Sequence, residues 1–183
     1  MSELIASRNP MKFIKDNKNM SIKNLHGVAF AEGGSVPESL SDDDINKFLD
    51  VIRQEESSGG KDTAHRMIQS GIHEGDSAMG QYGLMPNTVS EMANRAKRQG
   101  IASPDELDAI QNPSIVNQNP ELENQIAKQL AAKLLNQYHG NQEQAAYGWN
   151  QGHNLTPEQV QERDYQQHPY VQKFQKLKQL LNK

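Results

Sequence analysis

Helix-boundary signals recur throughout residues 41–183 and constrain the fold more than any other feature of this sequence. Ser103-Pro104-Asp105-Glu106 and Thr156-Pro157-Glu158-Gln159 each match a capping box, in which a Ser or Thr and a Glu or Gln three residues later exchange hydrogen bonds with the backbone. Both place proline at the first helical position, where its missing N–H costs nothing. Ser41 precedes three aspartates, which suit the positive end of a helix dipole. These signals predict a mainly α domain with little or no β-sheet.

Apolar residues follow these boundaries at helical spacing. Three predicted helices carry such a stripe, formed by Ile45, Phe48, Leu49 and Ile52, by Ile126, Leu130 and Leu134, and by Val171, Phe174, Leu177 and Leu181. We expect Asn87 or Thr88 to cap a further helix, and Asn141 to begin another that reaches about Trp149. Residues 60–86 lack this periodicity and are rich in glycine, which predicts loops or a small hairpin.

Composition excludes several classes of protein. The chain has no cysteine, which excludes a disulfide scaffold, a thiol nucleophile and cysteine-ligated zinc. It has six histidines but no His-Glu-x-x-His pair, and no Gly-x-Gly-x-x-Gly fingerprint, so we expect neither a metal nor a cofactor. The net charge of −4 argues against nucleic-acid binding, which usually requires a basic surface. No apolar run is long enough to insert into a membrane.

Charge is divided unevenly along the chain. Residues 1–30 carry five basic side chains against two acidic ones, a net charge of +3, and the remainder carries 14 against 21, a net charge of −7. Residues 30–41 are rich in Gly, Ser and Pro, which is typical of a linker. We therefore predict a flexible N-terminal arm at residues 1–36 and one domain at residues 37–183. The arm is either a solvated extension or a docking segment for an acidic or polymeric partner.

Two adjacent glutamates, Glu55 and Glu56, lie at the end of the first predicted helix. With Ile45 at zero and about 100° per residue, the apolar face centres near about −10°, Glu56 falls at about +20° and Glu55 at about −80°. We expect Glu56 to point toward the core or a cleft, and Glu55 to lean toward water. A carboxylate in apolar surroundings has a raised pKa, which suits a general acid near neutral pH. If the helix instead frays at residues 57–60, both glutamates are solvated.

Three blocks of sequence, Ile52–Gly60, Ser77–Val89 and Ala145–Gly152, resemble segments of the lytic transglycosylases and goose-type lysozymes. Ile52–Gly60, with the sequence IRQEESSGG, resembles their catalytic glutamate-serine motif. Ser77–Val89 is similar to their Gly-Ala-x-Gly-Leu-Met-Gln-Ile-Met-Pro-x-Thr-Ala segment, and the residues in register are Gly80, Met85, Pro86 and Thr88. Ala145–Gly152 is similar to their Ala-Ala-Tyr-Asn-Ala-Gly motif. The blocks occur in the family's order, and the resemblance covers about residues 40–155.

The resemblance implies a lysozyme-like fold with a groove for glycan strands. It also implies cleavage of the β-1,4 bond between N-acetylmuramic acid and N-acetylglucosamine in peptidoglycan, with a 1,6-anhydro product. By motif position, Glu56 would protonate the glycosidic oxygen and then act as the base while the C6 hydroxyl attacks, and Glu55 would be a bystander. The substrate-binding residues that the motifs indicate are Ser57, Gly80, Tyr82, Met85, Tyr147, Trp149 and Asn150.

The chain departs from the family pattern in two blocks. Gly83 occupies the position of a glutamine that normally contacts the substrate, so Gln81 or Tyr82 would have to replace that contact. In the third block Trp149 takes the tyrosine position and Tyr147 comes two residues early. An aromatic ring suits a glycan groove, because its flat face covers a sugar while its polar edge forms hydrogen bonds. The other interpretation of Trp149 is a residue that packs in the core.

Two alternatives remain open. A hydrolytic lysozyme (muramidase) needs a second carboxylate, and Asp76 is a better candidate for it than Asp62 or Glu74. Asp76 is otherwise a turn residue. A non-catalytic structural virion or ejection protein would keep the lysozyme-like fold only to grip glycan, and the loss of the glutamine at Gly83 favours this reading.

The N-terminal 21 residues lack the apolar region of a secretory signal peptide. An enzyme that degrades peptidoglycan then needs another route to the cell wall, and bacteriophages provide one. Residues 28–37 resemble segments of phage tail and internal virion proteins. We therefore expect a virion-associated protein that acts at the bacterial cell wall, with residues 1–36 docking onto other virion proteins.

Overall fold

A computed structural model describes residues 40–62, 66–67 and 77–182, and only the backbone of residues 66–67. The predicted arm at residues 1–36 lies outside these ranges, as does Asp76. The compact unit that contains the described residues begins at Leu40. None of its described helices is long and apolar enough to cross a membrane.

The described part of the chain is mainly α. Its α-helices are α1 (Asp42–Ser57), α2 (Pro86–Gln99), α3 (Pro104–Ala109), α4 (Pro120–Gln137), α5 (Gln142–Gln151), α6 (Pro157–Glu162) and α7 (Pro169–Leu181), and its 3-10 helices are Pro113–Gln118 and Tyr165–Gln167. Two short strands, β1 (Arg66–Met67) and β2 (Ser77–Ala78), pair antiparallel with Arg66 opposite Ala78. The prediction of a mainly α fold with little sheet is therefore confirmed.

Side-chain caps define the starts of several helices. Ser103 and Thr156 form the predicted capping boxes, and the predicted cap at Ser41 is also a capping box, closed by Asp44. The Ser103 N–H donates to Glu106 Oε2 over 2.7 Å, and the Glu106 N–H donates back to Ser103 Oγ over 3.2 Å. One such cap stabilises a helix by about 1 kcal/mol. The local signals in the sequence therefore fix these helix starts.

Helix α2 begins differently from its prediction. Neither Asn87 nor Thr88 is the cap, because Met85 is the N-cap residue and Pro86 is already helical. Proline fits the first helical position because an N–H at that position has no partner within the helix. The helix therefore begins directly after Met85 of the second family-like block.

Helix α4 is central to the core and packs against α1, α2 and α5. Its apolar stripe is buried as predicted, at Ile126, Leu130 and Leu134. Helix α7 packs against α1 and α5, with Val171 and Phe174 buried. The predicted stripe of α7 is confirmed only for this first half, since Leu177 is half-buried and Leu181 is exposed. As a result, α1 is held by both α4 and α7.

A tight turn at residues 80–83, named the 80–83 turn below, leads from β2 toward α2. Met79 and Leu84 close it with two backbone hydrogen bonds of 2.9 Å. Gly80 and Gly83 have φ values of +66° and +62°, in the left-handed region that glycine adopts without a Cβ penalty. The two glycines thus allow the chain to reverse within four residues.

Candidate functional site

Glu55, and not Glu56, is the glutamate on the buried face of α1. Glu55 is only 7% exposed, whereas Glu56 is half-buried. The predicted orientation is wrong because Val51, at about −120° in the same projection, is buried as well. With Val51 included, the buried apolar residues of α1 centre at about −40°, closer to Glu55 than to Glu56. Glu55 therefore does not lean toward water, and Glu56 lies where the buried face meets the surface.

The carboxylate of Glu56 is held by a tyrosine from the last helix. Tyr170 Oη donates to Glu56 Oε1 over 2.7 Å. Burial raises the pKa of the Tyr170 phenol well above its ordinary value, and the neighbouring charges of Glu56 and Glu55 raise it further. Tyr170 therefore keeps its proton at physiological pH and acts as a fixed donor to Glu56.

The 80–83 turn approaches Glu56 at Gly83. An ideal Cβ at Gly83 would lie 2.7 Å from Glu56 Oε2 and 3.0 Å from its Cδ. Contacts this short force a neighbour to move, and the positive φ of Gly83 adds backbone strain for any other residue. The departure from the family's glutamine therefore has a local physical reason, because the backbone itself lies against the carboxylate.

Glu55 is tied to α7 through Lys173. Lys173 Nζ donates to the Glu55 carbonyl oxygen over 3.0 Å and lies 3.8 Å from Glu55 Oε1. Burial raises the pKa of Glu55 to about 7, with the charge of Lys173 lowering it and that of Glu56 raising it. Two adjacent glutamates thus have different surroundings, and both contact α7.

A third carboxylate, Glu123 of α4, fixes the 80–83 turn from the core side. Glu123 is buried, and its Oε1 accepts the Tyr82 N–H over 3.0 Å. The Gln81 N–H also donates to this carboxylate. A Cβ at Gly80 would collide with Glu123. Burial raises the pKa of Glu123 while the two N–H donors lower it, so the carboxylate acts as an acceptor shared by the turn's backbone.

The third family-like block meets the same turn. Trp149 Nε1 donates to the Tyr82 carbonyl oxygen over 3.3 Å, and its ring meets Phe48 edge-on at 6.1 Å. Tyr82 is buried, and its phenol donates to Asn124 Oδ1 over 3.0 Å. Trp149 is half-buried. The structure therefore joins Trp149 to the 80–83 turn, whose Gly83 lies against Glu56.

Three of the predicted substrate contacts, Ser57, Tyr82 and Tyr147, are buried. Ser57 has no exposed surface, and its hydroxyl donates to the Arg53 carbonyl oxygen over 2.9 Å and accepts the Gly60 N–H over 2.8 Å. Its role is therefore to close the end of α1. Tyr147 is buried and packs edge-on against Tyr165 and His168. Because it packs in the core, Tyr147 does not line a groove in this structure.

The remaining predicted residues are placed as follows. Met85 is half-buried at the start of α2, and Gly80 lies in the 80–83 turn against Glu123. Asn150 is exposed and accepts a hydrogen bond from its neighbour Gln151. Of the candidates for a second carboxylate, Asp62 is exposed, whereas Glu74 and Asp76 lie outside the described residues.

Sequence reasoning missed Tyr170, Lys173 and Glu123. Tyr170 and Lys173 lie beyond the family-like blocks, and the Tyr170–Glu56 contact joins residues 114 positions apart. Glu123 had a usable signal: with Ile126 at zero and about 100° per residue, it falls at about +60°, inside the apolar stripe of α4. A carboxylate in such a stripe needs hydrogen-bond donors from another part of the chain.

Comparisons with family models, curated proteins and solved structures found no match to this chain. Within the described ranges, no group of three or more His, Asp or Glu side chains is placed to hold a metal ion. The candidate site consists of Glu56, of Tyr170, which donates a hydrogen bond to it, and of the 80–83 turn, which Glu123 holds.

Proposed function

We propose that this protein is a peptidoglycan lytic transglycosylase with a lysozyme-like fold, in which Glu56 is the catalytic acid and base. Its substrate would be the glycan strand, cut at the β-1,4 bond between N-acetylmuramic acid and N-acetylglucosamine. The proposal joins the sequence resemblance to the geometry of a single site.

The observation that carries the proposal is that the 80–83 turn, in the second family-like block, contacts both of the other blocks. The first block provides Glu56, and the second brings Gly83 to within contact distance of it. The third block provides Trp149, whose indole donates to the Tyr82 carbonyl of the same turn. These segments are separate in sequence, and their contacts through one turn beside a half-buried glutamate are what a shared site requires.

In the proposed reaction Glu56 returns to its starting state without water. Its carboxylic acid gives a proton to the glycosidic oxygen as the bond from C1 to that oxygen breaks. The carboxylate then takes the proton of the C6 hydroxyl, whose oxygen bonds to C1 and closes the 1,6-anhydro ring. Tyr170 stays on Oε1 during this cycle, and a fixed donor orients the carboxylate for both proton transfers.

The close contact at Gly83 bears on the non-catalytic alternative. That alternative drew support from the missing glutamine, but a side chain at Gly83 would collide with Glu56. The glycine is therefore needed to bring the turn to the carboxylate, and it does not by itself indicate a lost activity.

The test of the proposal is Glu56→Gln, assayed by the clearing of purified cell walls. Glutamine keeps an oxygen that accepts from Tyr170, so we expect an unchanged melting temperature with loss of clearing. Glu121→Gln, at an exposed position in α4, is the matched control and retains full activity. Full clearing by Glu56→Gln would overturn the assignment.

Mass spectrometry of the released muropeptides separates the enzymatic readings. A transglycosylase yields anhydro products, which are one water lighter than those of a hydrolytic lysozyme. Binding to peptidoglycan with no soluble product from the wild-type protein would instead favour a structural glycan-binding role.

We also propose that the protein is carried in a phage virion and acts at the bacterial cell wall, with residues 1–36 docking onto other virion proteins. The support is the net charge of +3 in residues 1–30 and the phage-like stretch at residues 28–37. Deletion of residues 1–36 should prevent incorporation into particles, as measured by immunoblotting of purified virions. Normal incorporation of the deletion variant would refute the docking role.

A further inference from the structure

The segment that follows α5 is bonded to two other helices. His153 Nε2 lies 2.8 Å from Glu91 Oε2 of α2. Lys133 Nζ of α4 donates to Glu91 Oε1 over 3.2 Å and to Asn154 Oδ1 over 2.9 Å. Glu91 therefore joins α2, α4 and the segment after α5, and these four residues are named the Glu91 clamp below.

The two basic groups of the Glu91 clamp are largely buried. The side chains of His153 and Lys133 are 12% and 14% exposed, whereas that of Glu91 is 40% exposed. Burial raises the pKa of Glu91, but the hydrogen bonds and charges of His153 and Lys133 lower it more, so that its pKa lies below its ordinary value. Glu91 is therefore ionised at neutral pH and accepts from both groups, which need an acceptor because they are buried.

The Glu91 clamp lies directly after the last turn of α5. The Gly152 N–H donates to the Gly148 carbonyl oxygen over 3.0 Å, and His153 is the next residue. A helix of ten residues such as α5 is too short to be stable alone, and the groups at a helix end need partners from elsewhere. The clamp therefore keeps this last turn, which carries Trp149 and Asn150, from fraying.

Trp149 depends on the helix end that carries it. Its Nε1 donates to the Tyr82 carbonyl oxygen over 3.3 Å, slightly beyond the usual range for such a bond. Its half-buried ring meets Phe48 edge-on. A long hydrogen bond stabilises little, so movement of the last turn of α5 would carry the indole away from the 80–83 turn.

We propose that the Glu91 clamp positions Trp149 against the 80–83 turn and thereby shapes the candidate site from outside it. Glu91 and His153 are then positioning residues that act through Trp149. The inference rests on the proposed function only for its effect on wall clearing, because the position of the indole can be measured without any substrate.

The first test uses Trp149, the only tryptophan of the chain, as a fluorescent reporter in the full-length protein. His153→Leu removes the donor to Glu91, so the emission maximum should move to longer wavelength and acrylamide should quench the indole more strongly. His153→Gln offers an amide N–H in place of the ring N–H and should restore both properties. The spectra are recorded well below the melting temperature of each variant, so that native states are compared.

Asn154→Ala is a second variant, at an exposed position. It removes an acceptor of Lys133 without opening the core, and we expect a smaller change in the same direction. It decides the test alone if His153→Leu does not fold. Glu121→Ala, at an exposed position in α4, is the control and leaves the spectrum unchanged. Wild-type emission and quenching in His153→Leu and Asn154→Ala would overturn the proposal, as would equal changes in His153→Gln and His153→Leu.

The second test is the rate of wall clearing. Displacement of the indole should lower the rate in His153→Leu by about tenfold, and His153→Gln should stay near the wild type. A wild-type rate in His153→Leu despite a changed spectrum would contradict the role of the clamp in the site. If the wild-type protein clears no walls, the proposed function fails, whereas the fluorescence still decides whether the clamp positions Trp149.

Discussion

Glu55 and Glu123 are buried carboxylates on two helices that pack together, yet their surroundings differ. Glu123 accepts two backbone N–H groups of the 80–83 turn. Glu55 has an oxygen that no described residue reaches, and Lys173, the cation 3.8 Å from its other oxygen, is mostly exposed. Burial raises the pKa of both. The difference shows that Glu123 stabilises the turn that donates to it, whereas Glu55 is destabilised by desolvation when it is ionised beside the site.

The two carboxylates also reach Glu56 through different neighbours. Glu123 fixes the turn whose Gly83 contacts the Glu56 carboxylate, and Glu55 lies next to Glu56 on the side held by α7. The following predictions distinguish Glu123, whose removal breaks hydrogen bonds, from Glu55, whose removal relieves the desolvation cost of a buried charge.

The largest effect is expected for Glu123→Ala. Two buried N–H groups lose their acceptor, at 1–3 kcal/mol each, so the free energy of unfolding should fall by roughly 4 kcal/mol. Urea denaturation followed by far-UV circular dichroism measures it. Glu123→Gln keeps an acceptor oxygen and should lose much less, and exposed Glu121→Ala should change stability by under about 0.5 kcal/mol. A loss below about 1 kcal/mol in Glu123→Ala would remove the assigned role of the carboxylate.

How much of this site the sequence predicts depends on the range of the interaction. The capping boxes at Ser41, Ser103 and Thr156 act within four residues, and the structure contains all three. The helical projection of α1 recognised that one glutamate is buried but selected the wrong one. Two elements, α4 and α7, pack on that helix, so its buried face also includes Val51, which the predicted stripe left out.

Contacts between distant segments cannot be predicted from local sequence patterns. Nothing near Tyr170 indicates that its phenol reaches Glu56, because the partner lies 114 residues earlier. Likewise, the need for glycine at position 83 becomes clear only when the turn is seen against the carboxylate. By motif position that glycine is a missing glutamine side chain, whereas in the structure it lets the backbone lie against the Glu56 carboxylate.

The pH dependence of stability should distinguish Glu55. Its pKa rises from an ordinary 4.5 to about 7 in the folded protein. Between these pH values Glu55 is ionised in the unfolded chain but keeps its proton in the native state. The stability that Glu55 contributes is therefore fully present below about pH 4.5 and is lost as the pH rises to about 7. The loss is about 3 kcal/mol at most. Urea midpoints across this range should fall in the wild type relative to Glu55→Gln, and parallel curves would contradict this.

Gly83→Ala should affect activity more than stability. A left-handed alanine costs about 1 kcal/mol, and displacement of the Glu56 carboxylate adds about as much again. Gly100→Ala is the matched control, because Gly100 has a φ of +72° but nothing within 4 Å of its Cβ position. We expect both variants to lose stability, but only Gly83→Ala to lose wall clearing, by about tenfold or more. Equal clearing by the two would show that contact with Glu56 is unimportant.

The smallest change in stability is expected for Tyr170→Phe, which removes one hydrogen bond to a carboxylate that stays partly solvated. The free energy of unfolding should fall by about 1 kcal/mol. Tyr165→Phe is the control, since that phenol accepts only a long 3.4 Å bond from Gln166 among the described residues. If Tyr170 orients Glu56, its variant loses turnover at an unchanged KM, whereas Tyr165→Phe leaves both unchanged. Equal turnover in the two variants would mean that Tyr170 does not orient Glu56.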